Sequence, residues 1–274
     1  AVRRFLNPDM IIIAVDTDAA HARMEELFRP IAAPRVVMDI RSAEMTKHAL
    51  NMLLATAISF GNELGALCEL AGADAAQVVR ALRLDRRIGP GLPLDPGPAF
   101  SGGTLARALS VLRRLAAAHG MPVPLLEGVR AVNDAQKTLA LRRLEAALGT
   151  LHGAHVGVLG LTYKAGTSTI RRSLALELIR ALEVRGASVT AYDPLADLSE
   201  ADALPPFTRV TDPYAVAQGA DALVIMTDWP EFRALDLRTL RGDMRGTVLI
   251  DTRNLLDAAR AAAAGFAYYG TGRA

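Results

Sequence analysis

The strongest constraint in this chain is a repeated change of period across residues 150–274, where short apolar runs alternate with helical stretches. His155–Leu161 (HVGVLGL), Ser188–Pro194 (SVTAYDP), Asp221–Thr227 (DALVIMT) and Thr247–Arg253 (TVLIDTR) read as buried strands. Helices are expected at Ser173–Gly186, around Pro213–Gly219 and near Phe232–Leu240. Strand and helix alternating in this way imply a doubly wound α/β sheet, whose ligands bind beyond the carboxyl ends of the strands.

Two further regions precede it. Residues 1–40 read as strand (Met10–Val15), helix (Asp18–Ile31) and strand (Arg35–Ile40). Such a βαβ unit belongs to a parallel sheet. Two strands and a helix bury too little to stand alone, and no Gly-rich phosphate loop precedes them, so most of their sheet is expected outside this sequence. Residues 42–149 read as helical. Ser42, followed by Glu44 and Met45, is the expected N-cap of a long helix running to about residue 71. Ala55, Ala57, Ser59, Gly61 and Gly65 recur along it and suit close packing against another helix. A Pro/Gly-rich loop spans Arg86–Gly103, with helices expected at about 104–119 and 124–149. The domain reading is therefore 1–40, 41–150 and 151–274.

Composition removes several classes. With 51% hydrophobic and 22% charged residues the chain is globular. A formal net charge of +2 gives no strong field for nucleic acid or an anionic membrane. One cysteine, Cys68, permits no internal disulfide, and with no signal peptide read, a cytoplasmic location is expected. His152 and His155 are the only histidines close in sequence, and no Cys or acidic cluster completes a metal site. Ala49–Leu70 is long and apolar enough to be weighed as a membrane span, but Asn51, Asn62, Glu63 and Glu69 interrupt it and favour a buried soluble helix.

Of 31 basic residues only Lys47, Lys137 and Lys164 are lysine. A codon bias toward Arg and Ala is the background, so each retained lysine is either a chance survivor or a site that needs an adjustable point charge. Lys164 lies in GLTYKAGTSTIRRS (Gly160–Ser173), between the first strand of the last region and its helix. A loop of this kind at a helix N-terminus suits an anion, and Lys164 and Arg171 add positive charge. A solvated loop lysine is the alternative.

FLNPDMIIIAV, RSAEMTKHALNMLLATAISFGNEL, LDRRIGPG, VNDAQK, GLTYKAGTSTIRRSLALELI, DALVIMTDWPEF and IDTRNLLD follow one another in this order. Together they resemble the UDP-glucose/GDP-mannose dehydrogenase family, most closely the bacterial UDP-glucose dehydrogenases. The resemblance implies the last part of an NAD-binding Rossmann domain, a central long-helix dimerisation region and a C-terminal Rossmann-like UDP-binding domain. It implies oxidation of the C6 alcohol of a nucleotide sugar to the uronate, in two steps with two NAD+, through a cysteine thioester. By resemblance Lys47 and Asn51 are the paired active-site Lys and Asn, four apart on one helix face and suited to stabilise oxyanions. Lys164 corresponds to a substrate-contacting lysine and Arg253 to an arginine at the diphosphate end. Arg171 corresponds to one near NAD, and Arg87 to one reaching a neighbouring subunit. Phe100 and Gly102 fall in the substrate loop, and Lys137 in a structural helix. The implied partners are a UDP-sugar and a second copy of the chain.

Two departures qualify this. The family's Gly-rich nucleotide loop and the residues that follow it are not here. The family's Gly-Gly-Ser-Cys-x-Pro-Lys-Asp segment is broken: this chain reads GPAFSGGTLARAL (Gly97–Leu109), without the cysteine, lysine and aspartate. Cys68 lies in NELGALCEL and is expected as a buried helix thiol. Ser168, Thr169 and Arg172 also stand where acidic residues are usual. The expectation is a UDP-glucose 6-dehydrogenase-like chain that keeps nucleotide-sugar binding and dimerisation without full catalysis. The alternatives are a non-catalytic partner of an intact subunit, and an enzyme completed by another chain. A 6-phosphogluconate-type dehydrogenase has no reason to end in a second α/β domain.

Overall fold

The computed structural model describes residues 2–101 and 103–273. It divides into two compact units, one ending at Leu53 and one beginning at Leu54.

The first unit opens with a short helix α1 (Val2–Leu6), which the sequence reading did not anticipate. The βαβ unit follows as expected: β1 (Ile11–Ala14), α2 (Asp18–Phe28) and β2 (Arg35–Met38), with β1 and β2 parallel from Ile11 opposite Arg35 to Ala14 opposite Met38. Ile11, Ile13 and Ile31 form its small core, with Met24 and Phe28 packed on them. Val36 and Val37 of β2 stay exposed. The long helix α3 spans Ile40–Ala71. Its cap is Asp39, not Ser42 as expected. The Asp39 carboxylate accepts the Ser42 amide at 3.0 Å, so Ser42 sits in the first turn as a receiver of the cap. The Ser42 side chain, with that amide bond, holds the Asp39 carboxyl below its ordinary range.

In the second unit, α4 (Ala75–Leu82) is capped by Asp74, and α5 (Leu105–Ala118), α6 (Pro124–Lys137) and α7 (Leu139–Leu148) follow the loop. The single helix expected over 124–149 is two, divided at Thr138. The division has a packing consequence. Ala140, Leu141 and Leu144 of α7 enter the core of the C-terminal sheet, while α6 packs elsewhere. The small residues of α3 also do more than meet a helix. Ser59 does face α6, donating to the Val129 carbonyl at 3.3 Å. Gly61 instead admits the Leu94 backbone, whose carbonyl oxygen would lie 2.4 Å from any added Cβ. Gly65 admits Pro96 and Gly272 in the same way. These two glycines receive irregular chain.

The sheet has six parallel strands: β3 (His155–Leu159), β4 (Ser188–Tyr192), β5 (Thr208–Arg209), β6 (Ala222–Ile225), β7 (Val248–Asp251) and β8 (Ala267–Gly270). Their order is β5-β4-β3-β6-β7-β8. The direction of winding reverses between β3 and β6, the pattern of a dinucleotide-type fold with its switch point there. Helix α8 (Leu174–Val184), capped by the Ser173 side chain, packs with α7 on one face. On the other lie α9 (Leu237–Asp243), α10 (Ala258–Ala263) and the apolar residues of two 3-10 turns. The helix expected around Pro213–Gly219 is the 3-10 turn Pro213–Ala217. The helix expected near Phe232–Leu240 is the 3-10 turn Pro230–Ala234 followed by α9.

Gly157 and Gly160 fix how the elements meet. A Cβ on Gly157 would fall 2.3 Å from the Val216 carbonyl oxygen, so only glycine lets that 3-10 turn lie on β3. Gly160 has φ 97° and its missing Cβ would meet Thr227 at 2.4 Å, so the chain leaving β3 lies directly against the chain leaving β6. Among the described residues, no helix is long and apolar enough to cross a membrane.

Candidate functional site

The carboxyl end of β3 runs into Gly160–Ser173, and this loop is tied to its neighbours by one buried side chain. Asp193, just past β4, is 3% exposed. Its Oδ2 accepts from the Leu161 and Thr162 amides, the Thr162 hydroxyl and Trp229 Nε1, at 2.8 to 3.0 Å. Its Oδ1 accepts from the amides of Leu195 and Ala196. Thr227, past β6, donates to the Thr162 carbonyl at 2.7 Å. One carboxylate thus orders the chains that leave β3, β4 and β6, around the switch point where a ligand is expected.

The distal part of the loop is held separately. Glu200 accepts from Thr169 Oγ1 and the Ile170 amide, so Thr169 keeps a hydrogen bond through a donor, where a carboxylate would be repelled. Lys164 is exposed, with Nζ 5.3 Å from the centre of the Tyr163 ring. Arg171 is exposed, and Arg172 stands at φ 59°. Such a backbone costs a side-chain-bearing residue about 1–2 kcal/mol. It is retained just before the Ser173 cap of α8, in the loop that carries the positive charge. Lys164, Arg171 and Arg172 line a cleft of about 500 Å³, closed on its other side by Ser101, Thr104 and Arg107.

The end of β7 supplies a further cation, Arg253. Asp251 is fully buried and accepts from the Arg253 and Leu256 amides and from Tyr268 OH. Burial pushes the Asp251 carboxyl up, and burial together with the Asp251 charge raises the Tyr268 phenol. Thr252 Oγ1 donates to the Ile225 carbonyl at 2.7 Å, and Arg253 Nε to the Met226 carbonyl at 2.9 Å. Arg253 is thereby stretched over the end of β6. Burial lowers its pKa while Asp228 and Asp251 raise it, and a guanidinium keeps its proton through such shifts. Asn254, at φ 49°, exchanges 2.7 Å hydrogen bonds with the backbone of Thr271.

The other expected residues distribute as follows. Lys47 and Asn51 stand one turn apart on α3 within the first unit, Lys47 exposed and Asn51 buried. Arg87 is exposed and held by Asp85 through Nε and Nη2, at 3.0 and 2.7 Å. Gly102 lies outside the described residues. Phe100 is buried, its amide donating to Asn133 Oδ1 and its carbonyl accepting from Asn133 Nδ2. Gly97 is fixed by Asn62 Oδ1 on its amide and by Gln136 on its carbonyl. The VNDAQK segment thus clamps the chain ahead of the broken motif. Lys137, in the same segment, pairs with Asp134 at 2.8 Å, a contact internal to α6. Cys68 is buried. Sequence reasoning passed over Asp193, Trp229, Asn133 and Arg107. For Asp193 a signal was available: an acidic residue directly after a buried apolar strand needs several donors to be tolerated.

The β1–α2 turn bears on the dinucleotide. It contains no glycine, Thr17 caps α2 through the Ala20 amide, and Asp18 opens its first turn. Capped donors and a carboxylate do not fit a phosphate, so no step through NAD is derived from this unit.

Comparison with known proteins agrees with this geometry. The sequence model of the UDP-glucose/GDP-mannose dehydrogenase family central domain matches residues 41–135, and that of its UDP binding domain matches residues 157–258. The chain is 39% identical over its whole length to a UDP-glucose 6-dehydrogenase of Rhizobium meliloti, covering 64% of that protein. It is 36% identical to the UDP-glucose 6-dehydrogenase TuaD of Bacillus subtilis, covering 59% of it. A UDP-glucose dehydrogenase structure from Pyrobaculum islandicum superposes with TM-score 0.89 at 34% identity, over 100% of this chain and 61% of that one. The UDP-D-ManNAc dehydrogenase of Pyrococcus horikoshii gives 0.82 at 26% identity, over 99% of this chain and 62% of that one. The chain therefore spans about three-fifths of the length of these relatives. Two domain models of one family, matched in order across most of the sequence, make the conclusion plain: the chain belongs to the UDP-glucose/GDP-mannose dehydrogenase family.

Proposed function

We propose that this chain is a UDP-glucose 6-dehydrogenase-like protein that binds a nucleotide sugar and dimerises, and does not itself carry the oxidation through to the acid. Residues 151–274 are the proposed UDP-sugar domain, 41–150 the proposed dimerisation region and 1–40 a contributor to an NAD-binding domain. Lys164 and Arg253 are the substrate cations. The binding half rests on the switch point of the sheet, where the Lys164 loop and Arg253 are fixed by hydrogen bonds to the neighbouring chain segments. Arg171 is proposed near NAD, and Lys47 with Asn51 for the oxyanion role of the family pair.

The observation that carries the catalytic half is the segment Gly97–Leu109. Helix α5 starts at Leu105, with Thr104 as its cap residue, and no thiol precedes it in this segment. The chain's one cysteine is buried on α3. Without a thiol at the reacting carbon no thiohemiacetal forms, and the second oxidation has no acyl-enzyme to release. The proposed location is the cytoplasm, and the proposed partner is a second copy of the chain. Phe60 and Leu67, seven residues apart on α3, are 51% and 58% exposed and give that copy an apolar face.

The test of the catalytic half is NADH absorbance with UDP-glucose and NAD+. The expected result is no sustained turnover by the pure chain, and steady NADH production would contradict it.

A further inference from the structure

The Asn254 side chain is paired as a neighbouring strand would be. Its Oδ1 accepts the Thr271 amide and its Nδ2 donates to the Thr271 carbonyl, both at 2.7 Å. One carboxamide thus takes both backbone groups of a single residue. Gly270 permits the approach, since a Cβ there would lie 2.7 Å from Asn254 Oδ1.

Thr271 is in turn held against the helical region through the residues on either side of it. Arg143 Nη1, on α7, donates to the Gly270 carbonyl at 2.6 Å. The Gly272 amide donates to Glu69 of α3 at 2.6 Å, and the Gly272 carbonyl accepts the Ala75 amide of α4 at 3.0 Å. Gly272 stands at φ 72°, and a Cβ there would fall 2.9 Å from Ala75 Cβ and Pro96 Cγ and 3.1 Å from Gly65 Cα. The segment that ends β8 is therefore seated in a slot that takes glycine, and Asn254 is anchored to it.

The consequence reaches the preceding residue, Arg253. Asn254 stands at φ 49°. Among the described residues the non-glycine residues with positive φ are Arg172 and Asn254, and each lies in one of the two loops that carry a proposed substrate cation. Asparagine enters this region more readily than most residues, and the two side-chain bonds to Thr271 hold it there. The turn so fixed sets the direction in which Arg253 leaves the backbone, and its Nε then meets the Met226 carbonyl at 2.9 Å. With Nε engaged, the two Nη groups of the planar fork have a defined direction.

We infer that Asn254 is a positioning residue for the nucleoside diphosphate: anchored to Thr271, it fixes the Arg253 fork over the end of β6 and acts on the ligand only through Arg253. The inference rests on the proposed role of Arg253 and adds a residue that makes it effective.

UDP titration calorimetry of the full chain as a double-mutant cycle tests it. Asn254→Gly removes the anchor and accommodates the same φ. It is expected to weaken UDP at least about fivefold, and to add no further loss in an Arg253→Ala background. Asp221→Asn, at the amino end of β6, is expected to lower stability and leave UDP affinity unchanged. Should Asn254→Gly not fold, Gly270→Ala presses a Cβ on Asn254 Oδ1 and is expected to give the same pattern. Wild-type UDP affinity in the folded anchor variant overturns the inference alone, provided that Arg253→Ala weakens binding. So does an equal loss with and without Arg253, or an equal loss in Asp221→Asn. A wild type that does not bind UDP, or an Arg253→Ala variant that binds it normally, overturns the proposed function and the inference with it.

Discussion

Trp229 Nε1 donates to Asp193 Oδ2 at 3.0 Å, joining the chain that leaves β6 to the chain that leaves β4 through a carboxylate buried from solvent. Because the same oxygen also accepts the Leu161 and Thr162 amides, the pair sets the starting direction of the Lys164 loop. Asp193→Ala strands several buried donors and is expected to cost at least about 3 kcal/mol in denaturant unfolding. Trp229→Phe removes one donor while keeping most of the ring, with an expected cost of about 1 kcal/mol.

Gly160 tests the same junction from the backbone. Gly160→Ala combines a left-handed φ of 97° with a Cβ placed 2.4 Å from Thr227. Thr227 is itself bonded to Thr162 and has no room to move away. The expected loss is about 2–4 kcal/mol, read as a lowered denaturation midpoint.

Asp221 gives a pH dependence. Its carboxylate accepts from Arg245 Nε at 2.6 Å and from the His155 amide at 2.9 Å. The Arg245 hydrogen bond is the main reason its pKa lies below the ordinary 3.8. A depressed carboxyl stabilises the fold above its unfolded pKa and loses that stabilisation as pH falls through the folded value. Asp221→Asn is therefore expected to cost about 1 kcal/mol at pH 7. The gap from wild type should begin to close as pH falls below about 4. A gap unchanged at pH 3 would show that the charge contributes nothing.

The apolar face of α3 makes a claim about assembly. Phe60→Asp or Leu67→Asp places a charge where a second copy is proposed to pack. Light scattering at micromolar concentration is expected to give a dimer mass for the wild type and a monomer mass for either variant. A monomeric wild type would contradict the proposed interface.

How far the sequence could be read depended on whether a feature was periodic or local. The strands from His155, Ser188, Asp221 and Thr247 were legible because each is a continuous apolar run between turn residues, as expected where both faces of a parallel sheet are covered. β5 is two residues long, β8 alternates weakly, and α10 is nearly all alanine, so none carried a period to detect. The Ser42 cap was misread because Asp39 and Ser42 are both good caps, and only geometry shows which one accepts. The broken segment after Gly103 was visible as a departure from a family pattern. The charged cleft was not, because Arg107 and Arg172 come from segments 65 residues apart in sequence and meet only once β3 and α5 are placed.

The central claim is that the switch point between β3 and β6 binds a nucleoside diphosphate through Arg253 and Lys164, and titration calorimetry with UDP tests it most directly. The account predicts saturable binding at one site per chain, weakened at least about tenfold in Arg253→Ala with the fold intact. Heats no larger than dilution for the wild type, or an Arg253→Ala variant that binds UDP as the wild type does, would contradict it.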